Sequence, residues 1–292
     1  MKQFINLYYV GSKGINFGDS INPIIFERLL NIPVKRSYPT NADVIGTGSI
    51  LHMLQLRNII RYKKYLYFLK YNSEPIITFG CGFNTDCNTG LLYKTYRSIQ
   101  PILLRGKMTH KVLEKINNTR YNYVSYGDLG LLIAFLSEKT PEKKYELGII
   151  PHAFDHKNEK TEILKTLSKN HIVIDLRDNP LETLNNISKC ETIISSSLHG
   201  LIAADSLNIP NKRFKFSNHG HFYNVDFKFN DYYSIYDKTP EYIDLTDDIS
   251  CEKLKQLTPE SISNDYIISQ KEVEKYKNII LQKGKELKNI FS

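Results

Sequence analysis

The residues best suited to chemistry stand together in Ser195-Ser196-Ser197-Leu198-His199-Gly200. The apolar pair Ile193-Ile194 leads into three hydroxyls, an imidazole and a glycine, and the small-residue stretch Leu201-Ile202-Ala203-Ala204 follows. This is the pattern of a strand entering a helix through a short turn. Open α/β sheets bind ligands at the carboxyl ends of their strands. A helix starting there offers amides without intrahelical acceptors and the positive end of a dipole, and both favour an anion. The serine hydroxyls add hydrogen bonds, and Gly200 lets the backbone approach a ligand closely. His199 serves either as a cationic partner or as a proton donor. The competing reading is structural: serines that cap the helix and an imidazole satisfied within the fold.

A second constellation, Asn16-Phe17-Gly18-Asp19-Ser20-Ile21-Asn22-Pro23, follows the first apolar run. It sets a carboxylate, a hydroxyl and two amides around a helix start. Asp19 is a candidate base, or an acceptor for a sugar hydroxyl. Alternatively Asp19 or Ser20 is the N-cap, with Pro23 in the first turn. Gly46-Thr47-Gly48-Ser49 and Gly80-Cys81-Gly82 end apolar runs and fit loops lining a cleft. Neither completes a dinucleotide or P-loop pattern. Arg105 closes the run Pro101-Ile102-Leu103-Leu104. There its planar fork can clamp a carboxylate or phosphate, or it forms an ordinary exit-loop salt bridge. His152 and His156 lie four apart, but Pro151 and the preceding run place them in a loop. His219-Gly220-His221 lacks a third ligand in register, so no metal site is expected.

These residues need strands and helices to position them. Apolar, β-rich runs over 4–10, 43–50, 75–83, 101–105 and 121–126 alternate with helix-like stretches over 21–30, 107–116 and 129–136. That is the β-turn-α rhythm of a parallel sheet with buried strands. The rhythm restarts after the polar stretch 137–144. Strand-like runs cover 146–151, 171–176 and 191–195, and helix-like ones cover 159–167, 180–189 and 201–207. The expected fold is α/β, with two Rossmann-like domains, residues 1–140 and 141–265. Residues 266–292 form an amphipathic helix: Ile268, Val273, Tyr276, Ile280 and Leu287 fall at helical spacing. Glutamates on its polar face favour packing across the domains over a membrane surface.

The chain has 292 residues, 41% hydrophobic and 24% charged, which suits two globular domains and not a disordered chain. Its net charge of +8 is spread along the sequence, with no compact basic block carrying interleaved aromatics, so nucleic acid is not an expected partner. The charge suits a solvated basic surface, an anionic membrane leaflet or a phosphate-bearing substrate equally well. Cys81, Cys87, Cys190 and Cys251 form no CxxC pair. The start of the chain lacks the apolar core of a signal peptide, and no run is long and apolar enough to span a membrane. The expected location is the cytoplasm, with peripheral association at the inner face of the cell membrane.

Taken in order, NFGDSINP (16–23), IGTGS (45–49), TFGCGF (78–83), LRGKMT (104–109) and SSSLHGLIAADSLNIP (195–210) resemble the polysaccharide pyruvyltransferase family. Gly127-Asp128, Ile149-Ile150-Pro151-His152 and Phe227-Lys228-Phe229-Asn230-Asp231-Tyr232-Tyr233 reinforce the likeness. The resemblance implies two Rossmann-like domains facing a cleft as in GT-B glycosyltransferases. It also implies phosphoenolpyruvate as donor and no cofactor. The implied acceptor is a glycan or lipid-linked oligosaccharide of a capsule, exopolysaccharide or other envelope polymer. Family members commonly carry arginine immediately before Leu-His-Gly, where this chain has Ser197; one branch shares its Ser-Leu-His-Gly. The charge would then come from Arg105, His199, Lys212, Arg213 or Lys228.

The chemistry so implied is ketal formation, which needs an acid, an anion clamp and a base. His199 is expected as acid or phosphate partner, Arg105 as clamp and Asp19 as base on the opposing domain. Ser195, Ser196, Ser197, Leu198 and Gly200 form the expected donor cradle, and Asn16, Gly18 and Gly48 the facing wall. A nucleotide-sugar glycosyltransferase and a non-catalytic glycan-assembly protein are the rival readings.

Overall fold

The computed structural model describes residues 3–11, 17–61, 74–137, 141–153, 155, 161, 163, 170–215, 226–245 and 257–292. Asn16, His156, His219, His221, Cys251 and most of the expected helix over 159–167 lie outside the described residues.

Two parallel sheets, each flanked by helices, build the molecule. The first comprises β1 (Ile5–Tyr8), β2 (Val34–Arg36), β3 (Val44–Ile45), β4 (Ile76–Cys81), β5 (Ile99–Leu104) and β6 (Ser125–Tyr126), in the order β2-β1-β3-β4-β5-β6. The second comprises β7 (Tyr145–Ile150), β8 (His171–Val173), β9 (Cys190–Ser195), β10 (Asn211–Lys215) and β11 (Tyr242–Asp244), in the order β11-β10-β9-β7-β8. Every pairing between named strands is parallel. β4, Ile-Ile-Thr-Phe-Gly-Cys, is buried at all six positions, as a parallel strand covered on both faces must be.

Both strand orders reverse once, between β1 and β3 and again between β7 and β9. Such a switch point opens a crevice outside the carboxyl ends of the strands. The described loop residues at the first are 9–11 and 46–50; the loops at the second begin at Pro151 and Ser196. The candidate site residues Gly18, Asp19, Gly48 and Ser195 to His199 therefore sit where the topology makes room for a ligand.

The helices are α1 (Phe17–Arg28), α2 (Leu56–Arg61), α3 (Lys107–Asn117), α4 (Pro180–Ser188), α5 (Leu198–Ser206), α6 (Asp226–Tyr233), α7 (Pro259–Asn264) and α8 (Gln270–Phe291). α1 starts four residues earlier than its apolar periodicity indicates, so Asp19 lies inside the first turn and Pro23 inside the helix. Pro23 has no N–H to offer the Asp19 carbonyl. Asn22 Nδ2 donates to that oxygen instead, at 3.1 Å, which keeps the turn intact. Leu129–Leu136 is a 3-10 helix, not an α-helix. Asp128 starts it by accepting from Gly130 N at 2.8 Å.

The principal core is shared between the sheets. Phe17, Ile21 and Ile25 of α1 pack in the same cluster as Leu129, Leu131 and Leu132, Ile150 of β7, and Leu198 and Ile202 of α5. α8 brings Val273, Tyr276, Ile280 and Leu287 back onto β5, β6 and Leu129–Leu136. Its N-cap is a capping box between Ser269 and Glu272. The buried carboxylate Asp205 accepts from Asn211 Nδ2 at 2.7 Å and from the hydroxyls of Tyr232 and Tyr266 at 2.8 Å. It thereby ties α5 to β10, to α6 and to the approach to α8. No helix among the described residues is long and apolar enough to cross a membrane.

Candidate active site

The β9–α5 turn is fixed by its own serines. Ser195 Oγ lies 2.9 Å from both Ile150 O and Ser197 O, and accepts from Ser197 N at 3.0 Å. A Cβ on Gly200 would come within 2.4 Å of that hydroxyl, so glycine is required here by the turn. Ser196 Oγ donates to Asp155 Oδ2 at 2.8 Å and accepts from His152 N at 2.8 Å. These two hydroxyls shape the turn and are engaged by protein. Ser197 occupies the N-cap in an extended conformation, and its side chain makes no capping bond. Beyond it the first-turn amides of α5 have no intrahelical acceptor.

His199 sits in that first turn, 7% exposed. A Cβ placed on Gly18 would lie 2.0, 2.2 and 2.3 Å from its Nδ1, Cε1 and Cγ. A point so near three consecutive ring atoms lies over the ring face, so the start of α1 packs flat on the imidazole. His199 Nε2 lies 3.8 Å from Asp128 Oδ2, too far for a hydrogen bond. Both atoms are buried without a hydrogen-bond partner among the described residues. Burial pushes the His199 pKa below its ordinary value; Asp128 pulls it up, and Arg105 and Lys228 push it further down.

The facing wall is held by Asn22. Its Oδ1 accepts from Thr47 N at 2.8 Å, and its Nδ2 lies 3.1 Å from Gly18 O and 3.2 Å from Thr47 O. A Cβ on Gly46 would come within 2.1 Å of Asn22 Oδ1, so this loop and α1 meet backbone to side chain. Asp19 lies beside Gly48, whose Cβ would stand 3.3 Å from the carboxylate. Asp19 is 8% exposed, and burial raises its pKa to about 7. That value suits proton transfer near neutrality.

The cationic residues divide sharply. Arg105 is fully buried. Its Nε donates to Asp231 Oδ2 at 2.9 Å, and its two terminal nitrogens donate to Ser49 Oγ and Phe83 O at 2.6 Å. Asp231 also accepts from Thr109 N and Thr109 Oγ1, both at 2.7 Å. Arg105 thus binds α6 to the first sheet, and its fork is occupied by protein. Lys212 pairs with Asp265. Arg213 pairs with Asp226 at 2.5 Å and lies over the Phe229 ring, 3.7 Å from its centroid. Neighbours along β10, these two side chains point to opposite faces of the sheet. Lys228 is different: no carboxylate among the described residues forms an ion pair with it. Burial lowers its pKa to about 8, aided by Arg105 and Arg213 and opposed by Asp155. Its charge acts on His199.

The structure therefore gathers His199, Ser197, Gly18, Asp19 and Gly48 about two helix starts, with Lys228 near enough for its charge to act on His199. It leaves Lys212 and Arg213 on other duties and closes Arg105 within a buried network. Sequence reasoning missed Asp128 as the neighbour of His199, Asn22 as the brace of the wall, and Asp231 as the partner of Arg105. Gly127-Asp128 and Asp231 stand in recognisable motifs, but nothing local shows what they face. No group of three or more His, Cys, Asp or Glu residues able to hold a metal ion occurs among the described residues. Two helix starts, a lysine without an ion pair among the described residues, an imidazole and a carboxyl whose pKa burial raises to about 7 can bind an anion and move protons beside it.

Known proteins give this site a context. Over 137 residues the chain is 33% identical to an uncharacterized protein of Acanthamoeba polyphaga mimivirus, covering 46% of this chain and 47% of that one. The chain thus spans about half the length of the curated relative it matches. A crystal structure of a functionally uncharacterized protein from Klebsiella pneumoniae is similar at 13% identity, with a TM-score of 0.44, over 83% of this chain and 93% of that one. The family model of polysaccharide pyruvyl transferases matches residues 3–211, a span that contains both switch points, Asp19, Asp128 and His199. The chain belongs to the polysaccharide pyruvyl transferase family.

Proposed function

We propose that this protein moves the enolpyruvyl group of phosphoenolpyruvate onto a sugar of a cell-envelope or capsular glycan precursor, forming a pyruvate ketal. The observation that carries this reading is the meeting of two helix starts at His199, with Lys228, which forms no ion pair among the described residues, near enough for its charge to act there. Such a place favours a small polyanion. The acceptor is a glycan or lipid-linked oligosaccharide. Residues 1–140 form the acceptor side, residues 141–265 the donor side, and 266–292 a helix packing across them in a GT-B-like arrangement. The net charge of +8 favours peripheral association with the anionic inner face of the cell membrane.

In this reading the first-turn amides of α5, the Ser197 hydroxyl and Lys228 hold the donor's phosphate and carboxylate. Lys228 supplies the charge that arginine supplies elsewhere in the family. Arg105 holds α6, and so Lys228, in place. An anion beside His199 favours the imidazolium and offsets the effect of burial. His199 then delivers a proton to the methylene carbon, leaving an electrophilic centre at the adjacent carbon. A sugar hydroxyl attacks that centre and loses its proton to Asp19. The carbon–oxygen bond to phosphate breaks, and a second hydroxyl of the same sugar closes the ketal. Of the two hydroxyl protons, one replaces that given by His199 and the other departs with phosphate.

The test is phosphate release from phosphoenolpyruvate with a glycan acceptor, alongside thermal shift with phosphoenolpyruvate and with nucleoside diphosphates. Acceptor-dependent release that is lost in His199→Ala supports the reading. Stabilisation by nucleoside diphosphates alone would assign the site to a glycosyltransferase, and binding without turnover to a non-catalytic glycan-assembly protein.

A further inference from the structure

Asp128 belongs to no step above, yet it is the acidic group nearest the imidazole. One oxygen, Oδ1, is held by the Gly130 amide at 2.8 Å. The other, Oδ2, is buried without a hydrogen-bond partner among the described residues, 3.8 Å from His199 Nε2, which equally has none there. A buried carboxylate oxygen left without a donor is costly, and so is a buried ring nitrogen. Two such atoms facing one another across less than 1 Å beyond hydrogen-bond distance form a contact that a small ring movement completes.

We propose that Asp128 is the positioning residue for His199: it takes the Nε2 proton as its hydrogen-bond partner, fixes the tautomer and presents Nδ1 to the donor. Three features support this. Nε2 is enclosed, so Nδ1 is the nitrogen left to exchange a proton with a ligand. Gly18 covers the ring face and restricts movement to the ring plane, toward or away from Asp128. Among the charged groups acting on His199, Asp128 favours the imidazolium whereas Arg105 and Lys228 oppose it. A carboxylate behind an imidazole holds its orientation and stabilises its charged form.

This inference deepens the proposed donor chemistry and rests on it for its kinetic arm, but not for its spectroscopic arm. Asp128→Asn keeps an oxygen for the Gly130 amide and turns the group facing Nε2 from acceptor to donor. Nitrogen-15 NMR of the unliganded protein should place the neutral His199 proton on Nε2 in the wild type and on Nδ1 in the variant. The variant's His199 should titrate at lower pH. With phosphoenolpyruvate, kcat should fall about 10–100-fold while KM stays within about twofold, and the basic limb of the pH profile should move to lower pH. If the variant does not fold, the wild-type tautomer alone decides, and a neutral proton on Nδ1 overturns the proposal. An unchanged tautomer and titration in a folded variant overturn it equally. Absence of phosphoenolpyruvate turnover in the wild type would count against the donor chemistry and leave the NMR result to judge the pair.

Discussion

Asp19 should weaken the fold at neutral pH, and removing its charge should strengthen it. The carboxyl is 8% exposed, its pKa is raised by burial alone, and no hydrogen bond to it is formed among the described residues. The sign follows from proton uptake. Between the ordinary carboxylate pKa of 3.8 and the folded value of about 7, the native state binds more protons than the unfolded chain. Stability therefore falls as pH rises through that window, and the full loss is present above it. The difference between the two values corresponds to about 4 kcal/mol at most. With half of that surviving local relaxation, Asp19→Asn should raise Tm at pH 8 by about 4 °C in a chain of this size. The gain should shrink to about 1 °C at pH 4, just above the unfolded pKa, where only a small part of the loss has built up. Differential scanning calorimetry of both proteins at the two pH values checks this, with turnover measured on the same samples. In the proposed mechanism the stabilised variant should be inactive, because the carboxylate that strains the fold is the base. An equal Tm difference at both pH values would refute the reasoning, since it would show that the Asp19 carboxylate is solvated.

Three further outcomes follow from the same geometry. Gly18→Ala, whose Cβ would fall 2.0 Å from His199 Nδ1, should lower kcat by about 100-fold or more with the circular dichroism spectrum unchanged. Asp231→Ala leaves Arg105 buried without its carboxylate and should cost about 3–5 kcal/mol in urea unfolding; a cost under about 1 kcal/mol would show that the pair does not hold α6. Lys228→Met should raise KM for phosphoenolpyruvate about tenfold, with Lys228→Arg close to wild type. Wild-type donor affinity should fall as pH rises through about 8, where Lys228 loses its charge, and the Met variant should lack that dependence.

The parallel sheets were legible because buried parallel strands are written as short apolar runs closed by glycine or a polar turn. Such runs announce β4, β5, β7 and β9 within a residue or two of their observed bounds. β2 was not legible. Val34-Lys35-Arg36 is a three-residue edge strand, half-buried to exposed, with no alternation to read. The Leu129–Leu136 segment has the composition of a helix. Its 3-10 geometry comes from tertiary demands: Ser206 Oγ lies 2.7 Å from Leu131 O and 3.0 Å from Ala134 N, binding the segment to α5. Local sequence carries no trace of that contact.

The site divides along the same line. The positions of His199 and Asp19 in the first turns of helices were readable, because strand-to-helix turns are marked by small and polar residues. Arg105 was readable as a residue at a strand's end but not as a buried pin, because its partner Asp231 is 126 positions away. The serines of the β9–α5 turn likewise read as a donor cradle, yet Ser195 and Ser196 hold the turn, and only Ser197 keeps its side chain out of the cap. What sequence cannot supply is which of several competent groups the fold has already occupied. In this molecule the Arg105 guanidinium is already engaged by Asp231, Ser49 and Phe83, which is why the anion contact proposed above falls to Lys228. The same holds for Asp128, whose place in the Gly127-Asp128 motif gives no sign that its carboxylate lies 3.8 Å from the His199 imidazole.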